Sequence, residues 1–183
     1  RARRRGLVTG SLYPHMMTKE KKVFLGLAAL IFVIYGQSLL GGFVFDDRGI
    51  AEHAELWTGI DKVVQVAAYP YWTVDAGLYR PTTLLSYLFN SLLLGDGAFG
   101  FHFINLLLYW GIGILVYLFL KNLFNKELLA ILAAVLFLVL PIHTEVVANI
   151  TGRSELLSLF FSLLTLFEFT KENLSFKKDL VGI

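Results

Sequence analysis

Apolar side chains fill four long stretches of the chain, separated by short polar clusters. Residues 23–45 carry no formal charge and would extend about 34 Å as a helix, enough to cross a hydrocarbon core about 30 Å thick. Residues 99–120 are also free of formal charge, while 128–142 and 156–169 are shorter and can be lengthened at their ends. The pattern predicts about four membrane-crossing helices. Residues 81–94 form a fifth apolar segment, but as a helix they reach only about 21 Å. Thr82, Ser86 and Asn90 recur there at every fourth position, a single polar stripe that predicts an interfacial or protein-buried helix.

Composition agrees with the pattern. Of 183 residues, 56% are hydrophobic and only 16% charged, against about 25% charged in soluble domains. So much apolar surface does not fit inside one core of this size, which excludes an ordinary soluble globule and a disordered chain. The fold class is therefore all-α, a polytopic membrane bundle of about four spans with interfacial helices in its first long loop. The absence of cysteine excludes disulfide frameworks and thiolate chemistry.

Charge placement adds an orientation. With four crossings, residues 1–22, 121–127 and 170–179 share one side and carry 12 of the 16 basic residues. The positive-inside rule puts that side in the cytoplasm and loop 46–98 outside. This divides the chain into a basic cytoplasmic segment at 1–22, a membrane domain at 23–170, and a cytoplasmic turn at 171–183 that begins a further span. Residues 1–15, which precede Met16, are read as an extension without a role.

Three polar clusters fall on the expected outer side. Asp46, Asp47 and Arg48 follow the first span; adjacent carboxylates at a membrane surface suit proton abstraction, although the same residues could simply end a helix. Tyr79-Arg80-Pro81 opens the interfacial helix, with a guanidinium suited to phosphate oxygens or to a neighbouring acid. Between the third and fourth spans lie His143-Thr144-Glu145, Asn149 and Gly152-Arg153-Ser154-Glu155. A helix capped by Thr144 would put Glu145, Asn149, Gly152 and Arg153 on one face, suited to a charged or sugar-bearing ligand. A capped turn with a solubilising Glu–Arg pair is the competing reading. Histidine spacing offers no protein-built zinc site, and no basic–aromatic stripe suggests nucleic acid. The glycines, among them Gly111 and Gly113, predict close helix packing, and the aromatics Trp57, Tyr69, Tyr71, Trp72 and Tyr79 an interface belt, although such rings also stack on sugars.

Phe-Val-Phe-Asp-Asp after the first span, then Tyr-Arg-Pro-Thr-Thr, Phe-Gly-Phe-His-Phe-Ile-Asn and Pro-Ile-His-Thr-Glu-Val-Val-Ala-Asn-Ile-Thr-Gly-Arg-Ser-Glu follow one another in order. Over about residues 20–170 this series resembles the N-terminal part of the transmembrane O-mannosyltransferases that carry tetratricopeptide repeats, and of their prokaryotic relatives, all of the GT-C fold class. The resemblance implies a partial GT-C fold and a polyprenyl- or dolichyl-phosphate sugar donor, with mannose the expected sugar. It also implies a protein or glycan acceptor outside the cytoplasm and a catalytic acid in the first external loop, hence Asp46 or Asp47. His143, Glu145, Arg153, Glu155 and Arg80 are then expected around the same cavity, the two arginines facing the lipid-linked phosphate. No cofactor is implied, and metal dependence stays open. The expected location is a prokaryotic cell membrane, or the endoplasmic reticulum in a eukaryote. GT-C enzymes have many more spans than four, and no such repeat occurs here, so this chain alone is expected to be inactive. The alternative is a non-catalytic membrane module, part of a lipid transporter or an assembly scaffold.

Overall fold

A computed structural model describes residues 13–53, 56, 59–71 and 78–181, with side chains from residue 19 to 171 within those ranges. Trp57 and Trp72 of the expected aromatic belt, and the basic residues Arg1 to Arg5, lie outside the described residues. Among those described, the chain is helical without a strand. Helices α1 (Tyr13–Tyr35), α5 (Ala98–Phe124), α6 (Glu127–Val139) and α8 (Arg153–Val181) form a bundle with α5 at its centre. Short helices α2 (Arg48–Glu52), α3 (Val63–Ala68), α4 (Pro81–Leu94) and α7 (His143–Ala148) gather at one end of it.

Among the described residues, three helical segments are long and apolar enough to cross a membrane: Lys19–Leu40, Ala98–Phe124 and Ile150–Lys171. The fourth expected span is helix α6, whose 13 residues are apolar but reach only about 20 Å. Its shortness has a local cause. Pro141 disfavours helical geometry at the residue before it, and Leu140 is extended at φ −63°, ψ 124°. Tyr35 and Tyr109 donate their hydroxyls to the Leu138 carbonyl at 3.1 and 3.2 Å, satisfying an acceptor near the truncated helix end. The first span also stops earlier than expected: a 3-10 turn over Gly36–Leu40 ends it, and residues 41–44 form neither helix nor strand.

The bundle packs as small residues allow. A Cβ at Gly111 would come within 2.9 Å of the Phe160 ring, and one at Gly113 within 2.9 Å of Leu138, so these glycines admit α8 and α6 against α5 as expected. At the end away from α4, Lys121 pairs with Glu20 at 2.9 Å, across the start of α1 and the last turn of α5. The chain thus returns loop 41–97 and loop 140–152 to the same end. Helix α4 spans the predicted residues and is protein-buried, with Thr83, Leu84, Tyr87, Leu88, Asn90 and Ser91 covered. The expected stripe divides, since Thr82 is exposed, Ser86 half-buried and Asn90 buried.

Candidate functional site

The two aspartates part company. Asp46 is exposed, whereas Asp47 is fully buried. Both sit in a single 3-10 turn, Phe45–Asp47, entered through Phe45 at φ 45°. The Asp47 Oδ1 accepts the backbone N–H of Thr151 at 2.9 Å, which joins the first loop to the turn before α8 across 104 residues.

That turn is not the continuous helix its sequence suggests. Helix α7 ends at Ala148, Asn149 is extended at φ −90°, ψ 130°, and a 3-10 turn over Ile150–Gly152 leads into α8. Glu145 and Arg153 therefore do not share a helix face. Tertiary partners hold the break open: Asn105 of α5 donates to the Asn149 carbonyl at 2.9 Å, and the Tyr87 hydroxyl donates to the Ile150 carbonyl at 3.2 Å. The Tyr71 hydroxyl donates to the Thr151 carbonyl at 3.3 Å. Gly152 is needed there because a Cβ would come within 2.8 Å of the Val146 Cα and carbonyl carbon and closer still to its oxygen. Gly152→Ala is expected to destabilise the protein by about 1–3 kcal/mol, as overpacking typically does, measurable as earlier thermal unfolding in detergent.

Arg153 lies at the centre of this polar cluster with none of its surface exposed. Its Nε donates to Asn105 Oδ1 at 2.8 Å, and one terminal nitrogen donates to Asn90 Oδ1 at 3.0 Å and the Phe101 carbonyl at 2.7 Å. The other terminal nitrogen reaches the Ser86 carbonyl at 3.4 Å, and the guanidinium lies 4.9 Å from the Tyr87 ring centroid. Arg153 is thus engaged by α4 and α5 and does not enter the cavity expected of it. His143 is also apart. Its ring packs 4.5 Å from Phe137 and 5.8 Å from Tyr109, and burial lowers its pKa, which favours the neutral imidazole over a phosphate-binding cation.

The other expected residues do converge. A cavity of about 430 Å³ is lined by Asp46, Tyr71, Arg80, Glu145, Asn149 and Glu155, with the turn at Thr151 and Gly152 as its floor. Arg80 donates to Ser154 Oγ at 2.6 Å, lies 3.6 Å from Glu155 Oε1 and stacks 4.9 Å from the Tyr71 ring centroid. Burial raises the Tyr71 phenol above its ordinary pKa, so it is neutral beneath that cation. A larger groove of about 700 Å³ shares Arg80 and Glu155 and continues along Leu157, Ser158, Phe161 and Ser162 of α8. Among the described residues, no group of three or more acidic or histidine side chains is placed to hold a metal ion.

Sequence reasoning passed over Asn90 and Asn105 as site-building residues, although a lone amide in an otherwise apolar span is a recognisable signal. It took Tyr71 as part of an interface belt or a sugar-stacking ring, and not as the ring beneath Arg80.

Known proteins of similar sequence share one kind of name. A Caenorhabditis elegans protein named Protein O-mannosyl-transferase F38B6.6 is 33% identical over 175 residues, covering 87% of this chain and 25% of that protein. Protein O-mannosyl-transferase TMTC1 of Homo sapiens is 34% identical over 164 residues, covering 85% of this chain and 18% of that protein. The chain is a relative of the protein O-mannosyl-transferases. It is also 33% identical over 157 residues to Protein O-mannosyl-transferase Tmtc1 of Drosophila melanogaster, covering 82% of the chain and 18% of that relative. The chain spans a quarter or less of the length of these three mannosyl-transferases. All three come from animals, so they lend no support to the expected prokaryotic membrane. No protein-family profile and no solved structure matches the chain.

Proposed function

We propose that this chain forms part of the donor and acceptor site of an inverting membrane mannosyltransferase. The enzyme takes mannose from a polyprenyl- or dolichyl-phosphate donor and passes it to a protein hydroxyl outside the cytoplasm. The observation that carries the reading is the meeting of Asp46, Arg80, Glu145 and Glu155, from three separate stretches of sequence, around one cavity at the end of a membrane bundle. The names of the relatives support mannosyl transfer to protein. A passive scaffold needs no such gathering of acidic and basic side chains.

In this reading Asp46 accepts the proton of the acceptor hydroxyl as its oxygen bonds to the sugar's anomeric carbon. The bond from that carbon to the phosphate oxygen breaks, and its electron pair leaves on the phosphate. Arg80 meets the charge that develops there. Glu145 and Glu155 are placed to accept hydrogen bonds from sugar or acceptor hydroxyls. The α8 groove beyond Arg80 suits a donor whose tail stays among apolar side chains. Asp47 and Arg153 then belong to the framework behind the cavity.

Arg80 supplies the test. With polyprenyl-phosphate mannose as donor and the full-length protein in proteoliposomes, Arg80→Ala is expected to raise the donor KM about 10- to 100-fold, the cost of losing a charge-assisted phosphate contact. Arg80→Lys should recover part of that loss. An unchanged donor KM in Arg80→Ala would remove the phosphate assignment.

A further inference from the structure

We infer that Asp47 is a positioning residue that aims Asp46 into the cavity, an inference that rests on the reading of Asp46 as the base. The two side chains are adjacent in sequence, yet Asp46 lines the cavity and Asp47 is fully buried. One turn therefore has a functional side and an anchored side.

The anchoring is specific. Asp47 Oδ1 accepts from the Thr151 N–H at 2.9 Å, and the Thr151 carbonyl accepts from Tyr71 at 3.3 Å. Thr151 and Tyr71 both line the Asp46 cavity, and Tyr71 carries Arg80 on its ring. Asp46 and Arg80 are thus referenced to the same residue, Thr151, one through Asp47 and its N–H, the other through Tyr71 and its carbonyl. Among the described residues, the second carboxylate oxygen, Oδ2, meets no protein donor.

The backbone supplies a second, independent sign. Phe45, immediately before Asp46, adopts φ 45°, a left-handed conformation that a bulky side chain takes only where its surroundings impose it. Its own side chain is 88% exposed, so packing of the ring does not impose it. The constraint lies on the far side of Asp46: Asp47 donates its N–H to the Val44 carbonyl at 2.9 Å while its carboxylate is held by Thr151. The anchor at Asp47 stabilises the unfavourable Phe45 conformation, and that conformation faces Asp46 outward.

An anchoring role needs an acceptor oxygen on residue 47 rather than a negative charge. In full-length protein with polyprenyl-phosphate mannose, Asp47→Asn is expected to keep kcat within about 3-fold of wild type and leave the acid limb of its pH profile in place. Asp47→Ala is expected to lower kcat about 100-fold, the scale of an ångström-sized misplacement, with the donor KM changed less than about 3-fold. Phe45→Gly relieves the left-handed strain, so adding it to Asp47→Ala should restore part of kcat. This double variant also serves if Asp47→Ala alone folds poorly. An Asp47→Asn variant as inactive as Asp47→Ala would overturn the inference, as would wild-type turnover in Asp47→Ala. So would a double variant no better than Asp47→Ala. Asp46→Asn, assayed in parallel, separates the two levels: if it is active, the base assignment falls, and if it alone is inactive, only the positioning role falls.

Discussion

Asp46→Asn is expected to lower mannose transfer by about a thousand-fold in the full-length protein while leaving membrane insertion and folding intact. Asparagine keeps the size of the side chain and one acceptor oxygen but cannot take up a proton, and general-base catalysis typically contributes about 10²–10⁴. Asp46 is exposed in the turn, so its replacement costs the fold little. The donor KM should change only slightly, because the proposal assigns the phosphate to Arg80. Turnover within about tenfold of wild type would transfer the base role to another cavity acid, with Glu145 the next to test.

The second large effect concerns stability. Arg153→Ala is expected to destabilise the bundle by about 3–5 kcal/mol, the range for breaking a buried charged network. The substitution strips partners from Asn90, Asn105 and the Phe101 carbonyl, all of them buried, and removes the cation from the Tyr87 and Phe101 rings. Arg153→Lys should lose less but still measurably, since the three donors of an ammonium cannot reproduce the planar fork that reaches Ser86, Asn90, Phe101 and Asn105. Thermal unfolding in detergent, followed by intrinsic tryptophan fluorescence, reads the difference. A variant that unfolds like wild type yet binds donor poorly would return Arg153 to the phosphate site that its sequence position first suggested.

The contrast between Arg80 and Arg153 shows what sequence could and could not convey. The extents of α4 and the core of α5 are legible from apolar runs, proline at an N-terminus and interruptions by charge, because those signals are local. The break at Asn149 is not. Nothing in Glu145 to Arg153 forbids a helix, and what ends it is Asn105, more than 40 residues away, together with the close approach of Gly152 to Val146. With the helix broken, Arg153 turns inward and Glu145 stays at the cavity. The short α6 was within reach, since Pro141 marks its end. The opposed environments of Asp46 and Asp47 were not, because they follow from Phe45's backbone angle and a hydrogen bond to a distant peptide.

The framework behind the cavity is stitched across the whole chain: Asp47 to Thr151, Asn105 to Asn149, and Arg153 to both α4 and α5. Synthesis proceeds from the N-terminus, so none of these links can close before the segment that begins α8 has emerged and packed. Asp46, the proposed base, therefore stays unaimed in any nascent chain that has not yet reached Arg153, and the first loop takes its working shape only when the start of α8 docks against it.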